Sequence, residues 1–559
     1  MKKSSLRKML CCSLSALMSA ACVFSAVGCG GEIPDDGGEF NEEIDTTKTQ
    51  LYVGNYNGGF GWEWLNKAKQ LYEAEHPDVQ IMIDNDKDLY SPANLKVSMP
   101  NNRQDLYVLD GTDYYDFVAE GHFMDVTDIV TAGGENSIES KMYDSLRTYY
   151  KTSQNKYYAV PFYLSYFTMI YDVDLFDEYY LWLNEEGTGF VQSLDEPRYV
   201  GLSGEVGAWD YGLPQTYSQF FMLLDQMVAY SIVPVTWTGK YKDGYLPYFT
   251  DSIWADYSGP EGFGATYSLS GNVKTVNNYD FTDSPTGTFY LPEGSYSVET
   301  VTKENAQQVL PRDAGKYYAI KFAKDLTSGN YKYLKADKVN SPSESHTQAQ
   351  DTFLRSRYLA EKKGTQPIAM LVEGGWWFNE AKVVFEEMSS YGSQWSEEGR
   401  RLGIMPIPKA DDGSSAPGRT VRGVGTSVIC ISNYTTKAEL AKDFFAFINS
   451  EEIMKLFTKE TNAKRPYNYE LTEEETEAMP YYAQNMLDML SDINVQYTLP
   501  RTAELIPYAS KLSTLGIQSI FNNYAYSNPI TNFFENPSVT ANTYFKGLQT
   551  YQANNPIEW

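Results

Sequence analysis

Short apolar strands alternate with amphipathic helices near the start of this 559-residue chain. The pattern predicts a strand at 51–53, a helix that begins near Trp64, a second strand at 79–83 and a third at 105–110. A Gly-rich loop at 54–61 separates the first strand from the helix. This alternation predicts an α/β fold with an open, mostly parallel sheet, whose ligands bind beyond the carboxyl ends of the strands.

Residues 156–176 (KYYAVPFYLSYFTMIYDVDLF) are the segment in which the chain is expected to pass from one structural unit into another. A chain of this length predicts two or more lobes. Pro161 suits a strand start, the following residues favour a strand that ends in Ser165, and Asp172 can cap a helix. The many hydroxyl groups among its aromatics suggest that the segment lines a binding site. An amphipathic core strand is the alternative.

The N-terminus has the pattern of a bacterial export signal. Basic residues through Lys8 precede an apolar run at 9–27, and Ala26-Val27-Gly28-Cys29 resembles a lipobox. The lipobox predicts cleavage before Cys29 and a lipid on its thiol, with Cys22 as the competing position. A retained membrane anchor is the alternative, since nineteen residues could span a bilayer. The acidic, Gly-rich residues at 29–48 predict a flexible tether.

Charge and cysteine content restrict the partners. Beyond residue 28 the chain has 41 basic and 73 acidic residues, a net charge of −32. So acidic a body argues against nucleic acid and against an anionic membrane surface as partners. Cys430 is the one thiol of the mature body, in an apolar run, so no disulfide can form within that body.

Later segments add further elements. Thr216 and Gln219 predict a capping box ahead of a helix, and Thr436 and Glu439 predict a second one. Residues 240–297 are rich in Gly, Ser, Tyr, Asn and Asp with little periodicity, and we interpret them as a long insertion. Further strands are predicted at 368–371, 403–408 and 427–431.

The sequence contains none of the common catalytic or metal motifs, and no cofactor is predicted. His76, His122 and His346 are too widely spaced for a histidine metal cluster. No nucleophile elbow, Walker A loop or complete G-x-G-x-x-G is present.

An acidic loop resembles the opening of a calcium site but lacks its key residues. Asp84, Asp86 and Asp88 mimic the start of an EF-hand loop, yet Leu89 replaces the glycine and Leu95 the bidentate glutamate. A solvated loop is the better interpretation. Nothing in the spacing of the many acids selects a pair for glycoside hydrolysis.

Candidate ligand-binding residues share positions at strand ends beside glycines and amides. Flat apolar faces of sugars stack on aromatic rings, while sugar hydroxyls need Asp, Asn, Ser or Arg partners. A core or surface role is the alternative for each residue. Trp64 is interpreted as core, and Trp254 fits either role. The candidates are Asn57, Asp110, Tyr163, Ser165, Trp237, Trp376, Trp377 and Arg422.

Together these segments resemble family 1 of the extracellular solute-binding proteins, which serve carbohydrate ABC transporters. The most specific motifs are LPQTYSQFFMLLDQM followed by IVPVTWTGKY, and AMLVEGGWW. The resemblance covers roughly 51–469 apart from the insertion, and it is weaker beyond. The segments that carry it, in the order of the family, are 67–79, 106–111, 156–176, 213–240, 369–377, 403–412 and 437–451.

The resemblance implies a two-lobed, type II periplasmic-binding-protein-like α/β fold whose lobes are joined by hinge strands. Lobe one would comprise 49–162 and about 424–470, and lobe two 163–423 and about 471–559. Asn57 and Asp110 would then lie on lobe one, and Tyr163 and Ser165 just past the first crossing. Trp237, Trp376 and Trp377 would lie on lobe two, and the chain would return to lobe one near Arg422.

The resemblance also implies a function. We expect a monomeric, non-enzymatic protein, lipid-anchored through Cys29 on the outer face of a bacterial, Gram-positive cell membrane, that delivers an oligosaccharide or glycoside to an ABC transporter permease. One alternative is a binding lipoprotein for a peptide or polyamine. The other is a secreted glycoside hydrolase, which would need two carboxyl groups within roughly 5 to 9.5 Å of each other.

Overall fold

The computed structural model describes residues 43–111, 114–277, 284–425, 427–517 and 528–559. The export signal, Cys29 and most of the tether lie outside the described residues. Within the described ranges, no helix combines the length and the apolar character needed to cross a membrane.

Twelve strands occur in the described residues and form two four-stranded sheets and two two-stranded ribbons. They are β1 Thr49–Asn55, β2 Val79–Asn85, β3 Leu106–Leu109, β4 Phe167–Asp172, β5 Val233–Thr236, β6 Asn272–Val276, β7 Tyr296–Thr300, β8 Ile368–Gly374, β9 Leu402–Met405, β10 Arg419–Gly423, β11 Val428–Ile431 and β12 Ile493–Tyr497.

The first sheet has the order β11-β3-β1-β2 and the second has the order β5-β8-β4-β9. In the first sheet β1 is parallel to β2 and β3, whereas β11 is antiparallel to β3. In the second sheet β5 is parallel to β8, but β4 is antiparallel to both β8 and β9. Three of the four strands in each sheet run in one direction, as expected of mostly parallel sheets, and β11 and β4 are the reversed strands. Both sheets are mixed, because each receives a strand from a crossing segment.

Helices flank both sheets. Those that follow the strands of the first sheet, or return to it, are α1 Glu63–Glu75, α2 Pro92–Ser98, α3 Tyr114–Ala119, α4 Thr127–Val130, α5 Ile138–Lys141, α6 Asp144–Tyr150, α16 Ala438–Ile448 and α17 Glu451–Thr461. The others are α7 Val173–Glu178, α8 Tyr217–Ala229, α9 Lys242–Ser268, α10 Ala306–Val309, α11 Ala314–Leu326, α12 Ser328–Tyr331, α13 His346–Lys363, α14 Trp377–Glu380, α15 Lys382–Ser389, α18 Glu473–Glu477, α19 Tyr481–Asp492, α20 Ala509–Ser513, α21 Pro529–Glu535 and α22 Ala541–Asn554.

Residues 240–297, interpreted as a long insertion with little periodicity, contain regular secondary structure. Residues 242–268 form the long helix α9, which bends where Gly259 adopts φ 68°. Most of its side chains are buried, on all sides of the helix. A helix buried all round has no polar face, so its sequence lacks the periodicity by which helices are recognised. The helix contacts strands β4 and β10 as well as helix α11.

Two capping predictions had different outcomes. The Thr216 and Gln219 capping box is confirmed at the start of α8. The predicted box at Thr436 and Glu439 is wrong: α16 begins at Ala438, with Lys437 in the capping position and no side-chain cap. The hydroxyl of Thr435 accepts a hydrogen bond from the Lys437 amide, so a local turn delays the helix start.

The chain crosses between the sheets through residues 160–166, as expected, but without the predicted strand. The amides of Phe162 and Tyr163 both donate to Ser427 Oγ, at 3.1 and 3.3 Å, instead of to a neighbouring strand. The returning chain runs alongside, where the Val424 amide donates to the Ser165 carbonyl at 3.0 Å. Beyond the crossing, Asp172 caps α7 as predicted. Two crossing segments therefore lie side by side between the sheets.

Candidate functional site: a cleft between the two sheets

The carboxyl ends of three parallel strands bring polar groups to one edge of the first sheet. Tyr56 follows β1, Lys87 follows β2 and Asp110 follows β3. The Tyr56 amide donates to the Val108 carbonyl at 2.9 Å, which fixes the start of the loop. Lys87 Nζ lies 5.9 Å from the centre of the Tyr56 ring. This edge is the one at which open α/β sheets bind ligands.

Asp110 presents a carboxylate at this edge. Its Oδ1 accepts hydrogen bonds from the Tyr163 hydroxyl and, at 2.7 Å, from the Gly111 amide. Its Oδ2 has no hydrogen-bond partner among the described residues. Burial raises the pKa of Asp110, while the hydrogen bond from Tyr163 opposes that change. Asp110 can therefore accept a further hydrogen bond through Oδ2.

Trp376 presents an indole from the second sheet, just past the end of β8. The ring lies over Gly374, where a Cβ would fall 2.3 Å from the ring, so a glycine is required there. Phe167 and Tyr245 flank the ring at centroid distances of 6.1 and 6.0 Å. The side chain is partly exposed. Trp376 can therefore offer a supported aromatic surface to a ligand.

The two edges meet at Gly59. A Cβ on Gly59 would lie 3.1 Å from Trp376 Cβ, and Asn379 Nδ2 donates to the Gly59 carbonyl at 2.8 Å. The loop after β1 therefore contacts the loop after β8 directly, and the junction at which the Asp110 and Trp376 edges of the two sheets meet is called the cleft below.

An acid and histidine cluster lies one helical turn from Trp376, with His346 and Glu373 buried and Glu380 partly exposed. His346 Nε2 is 3.1 Å from Glu380 Oε1, and Gln350 Nε2 donates to Glu380 Oε2 at 2.7 Å. Burial alone would lower the pKa of His346, but its hydrogen bond to Glu380 raises it overall. Burial favours a higher pKa for Glu380, and His346 more than offsets that effect. Burial raises the pKa of Glu373 to about 8, so this carboxyl is mostly protonated at neutral pH.

Arg422 lies on β10, and both of its terminal guanidinium nitrogens donate to protein groups. Its guanidinium donates to Asp251 Oδ2 at 2.6 Å and to Thr498 Oγ1 at 3.1 Å, and it lies 4.3 Å over the Tyr248 ring. The Arg422 amide donates to Ser252 Oγ, whose hydroxyl donates to the Phe167 carbonyl. Ser252 on α9 therefore links strand β4, which contains Phe167, to strand β10, which contains Arg422. This arrangement favours a structural role for Arg422.

Three further sequence candidates are fully buried. Trp237 donates to the Val339 carbonyl at 3.0 Å and packs on Phe534, and Trp377 packs among Phe378 and Tyr482. Their indoles have no accessible face for a ligand. Ser165 is also 0% exposed, within the first crossing segment.

The remaining aromatic and amide candidates divide between cleft and core. Asn57 is partly exposed in the loop after β1. Trp64 is buried, as interpreted. Trp254 is also buried, with its Nε1 donating to Asp313 at 2.6 Å. Asn57, Asp110, Tyr163 and Trp376 are thus the predicted residues that the fold brings together at the cleft.

Sequence reasoning missed Tyr245, His346 and Glu380. Glu380 could have been found from its spacing, four residues after Trp376 and hence on the same face of a helix. No local signal links His346 to Glu380, because helix α13 brings it there from 34 residues away. Tyr245 was hidden in the segment interpreted as an insertion.

Solved structures of bacterial binding proteins share this fold. The raffinose complex of RafE matches with a TM-score of 0.52 at 13% identity, covering 91% of this chain and 99% of that chain. Apo RafE from Streptococcus pneumoniae matches with a TM-score of 0.51 at 13% identity, covering 92% and 99%. A chitin oligosaccharide binding protein matches with a TM-score of 0.52 at 14% identity, covering 91% and 98%. The fold is therefore that of the type II periplasmic solute-binding proteins.

Sequence comparison agrees with the fold. No curated protein matches the chain. A family model does match, across the first helix, the crossing segment and most of α9. Residues 63–262 of this chain match the family of bacterial extracellular solute-binding proteins, which confirms the predicted resemblance.

Proposed function

We propose that this protein is an extracytoplasmic carbohydrate-binding protein that delivers an oligosaccharide or glycoside to an ABC transporter permease. The observation that carries the proposal is the partly exposed indole of Trp376 at the cleft, which packs over Gly374. Flat sugar faces stack on such rings. Asp110, across the cleft, has a carboxylate oxygen with no hydrogen-bond partner in the described part of the chain, which a sugar hydroxyl could use.

The similar structures support sugar as the ligand class. RafE is described in complex with raffinose, and another similar structure is named a chitin oligosaccharide binding protein. Both ligands are carbohydrates of more than one ring. A cleft between two sheets can take such a ligand along its length.

Ligand binding would act by shifting a conformational equilibrium. We assign 49–162 and about 424–470 to lobe one, and the rest of the body to lobe two. A ligand that contacts both lobes binds the closed form more tightly than the open form, and so it raises the closed population. The permease would then recognise the closed form. No bond chemistry is required of the protein.

The proposal includes a lipid anchor. Cleavage before Cys29 and acylation of its thiol would hold the protein on the extracytoplasmic face of the membrane, with 29–48 as the tether. Cys22 is the competing position. Mass spectrometry of the membrane-extracted protein would identify the lipidated cysteine, and a Cys29→Ala variant that is still lipidated would exclude Cys29.

A thermal-shift screen tests the binding function. The panel is raffinose, stachyose, maltose, N-acetylglucosamine oligosaccharides, a dipeptide mixture and spermidine. A ligand at about 100 times its dissociation constant adds about 2.7 kcal/mol of stability, a shift of a few degrees. We expect one class of sugar to raise the midpoint. A shift with dipeptides or spermidine alone would overturn the sugar assignment, and cleavage of a panel sugar would indicate a hydrolase.

A further inference from the structure

We infer that Glu380 is a specificity-determining residue of the cleft, and that its carboxylate accepts a hydrogen bond from a hydroxyl or ammonium group of the ligand beside Trp376. His346 is inferred to be the residue that positions this carboxylate. The inference rests on the proposed function and names a contact of that same site.

The backbone places Glu380 next to the aromatic surface. The Glu380 amide donates to the Trp376 carbonyl at 3.2 Å, so the two residues are one helical turn apart. The neighbouring Asn379 reaches the Gly59 carbonyl on the other side of the cleft. Glu380 therefore lies within the turn by which the second sheet contacts the first.

Two donors from α13 hold the Glu380 carboxylate in one orientation. His346 lies 3.1 Å from Oε1, and Gln350 donates to Oε2 at 2.7 Å. An ionised carboxylate has about four lone-pair sites. Two remain after these contacts, and the Glu380 side chain is 18% exposed, whereas that of His346 is 6% exposed. The held carboxylate therefore keeps unfilled acceptor sites, on a side chain that is not fully enclosed.

The surrounding charges favour an ionised acceptor. The charge of Lys87, from the opposite edge of the cleft, lowers the pKa of Glu380 as His346 does. Glu373 on β8 is mostly protonated at neutral pH because burial raises its pKa to about 8. His346 Nδ1 has no hydrogen-bond partner among the described residues. The titratable groups that face the pair are Lys87, Tyr241, Tyr245 and Glu373.

An equivalent pair elsewhere in the chain supplies a matched control. His122 Nε2 lies 3.1 Å from Glu120 Oε2, the same separation as in the His346 and Glu380 pair. His122 bonds Tyr434 through its other ring nitrogen, on the first-sheet side of the molecule away from Trp376. Glu120→Gln and His122→Gln therefore make the same chemical changes as Glu380→Gln and His346→Gln, but at a position away from Trp376.

The first experiment measures sugar affinity by titration calorimetry on the full chain, with the panel sugar that binds the parent most tightly. Glu380→Gln keeps the shape but loses a charge-assisted acceptor, so we expect affinity to fall about 10- to 100-fold. Glu120→Gln should leave it unchanged. Equal affinity in the parent and Glu380→Gln overturns this inference alone. If no panel sugar binds the parent, the proposed function fails and this inference with it.

The second experiment distinguishes a role of His346 in positioning Glu380 from a general effect of the substitution on folding. The parent should lose affinity as pH falls and Glu380 becomes protonated. In His346→Gln the glutamine can still donate to Glu380, but the pKa of Glu380 is no longer lowered by a positive charge. We therefore expect the loss of affinity to begin at higher pH in His346→Gln and to be unchanged in His122→Gln. A uniform loss at every pH would overturn the positioning role.

Discussion

Asn379 and Gly59 join the two halves of the cleft through one hydrogen bond, with Asn379 Nδ2 2.8 Å from the Gly59 carbonyl oxygen. The donor follows Trp376 on the second sheet, and the acceptor lies in the loop after β1. Closure of the proposed lobes is therefore coupled to the position of the proposed sugar-stacking ring.

Asn379→Ala should weaken sugar binding without unfolding the protein. Loss of one hydrogen bond between the sheets costs about 1 kcal/mol of the closed form, which is a several-fold loss of affinity. Calorimetry with the best panel sugar measures the effect. Asn433→Ala is the control, because Asn433 Nδ2 makes a similar bond of 3.0 Å to the Gly121 carbonyl away from the cleft. Equal effects of the two variants would contradict the prediction.

Gly59→Ala should displace Trp376. The added methyl would lie 3.1 to 3.3 Å from three carbons of Trp376, which is tighter than ordinary contact. We expect weaker sugar binding and a change in the Trp376 contribution to fluorescence, with little loss of stability. Gly189→Ala is the control, since its methyl would meet nothing closer than 3.7 Å. Unchanged affinity in Gly59→Ala would show that the ring position does not matter.

Trp376→Ala and Trp237→Ala should have opposite signatures. Trp237 is fully buried, so its truncation should cost about 3 to 5 kcal/mol of unfolding free energy. Trp376 is partly exposed, so its truncation should remove sugar affinity at a smaller cost in stability. Urea unfolding and calorimetry on both variants distinguish the two effects. A large loss of stability in Trp376→Ala, with affinity retained, would contradict the assignment.

Glu373→Gln should flatten the dependence of stability on pH. The pKa of Glu373 is about 8 in the folded chain and close to 4.5 when unfolded, so the folded chain retains a proton that the unfolded chain releases. The stabilisation is full below about pH 4.5 and is lost as pH rises through 8. Glutamine imitates the neutral carboxyl at all pH values. Urea unfolding at pH 5 and pH 9 should differ less in Glu373→Gln, by a few kcal/mol. An unchanged difference would exclude Glu373 as its source.

The parts of the fold that the sequence predicts are those with strong local signals. The strands of the first sheet and the capping box at Thr216 follow from periodicity and side-chain chemistry. Helix α9 does not, because burial on every side removes the period of its pattern. The mixed order of the second sheet depends on pairing between strands far apart in sequence, which no local pattern specifies.

Part of the cleft was predictable, because some of its residues follow strands that have strong local sequence signals. Asp110 and Trp376 follow predicted strands, so the rule for open sheets locates them. Trp237 also follows a strand, yet later helices cover it, and composition cannot show which strand end is covered. His346 reaches Glu380 only through tertiary packing, so its place in the cleft needed the folded structure.

Calorimetric titration of the panel sugars into the parent chain and Trp376→Ala tests the central claim most directly. We expect saturable binding of one class of sugar by the parent, no turnover of that sugar, and loss of the binding in Trp376→Ala. Parent-like binding in Trp376→Ala, or binding of dipeptide or spermidine in place of every sugar, would contradict the claim.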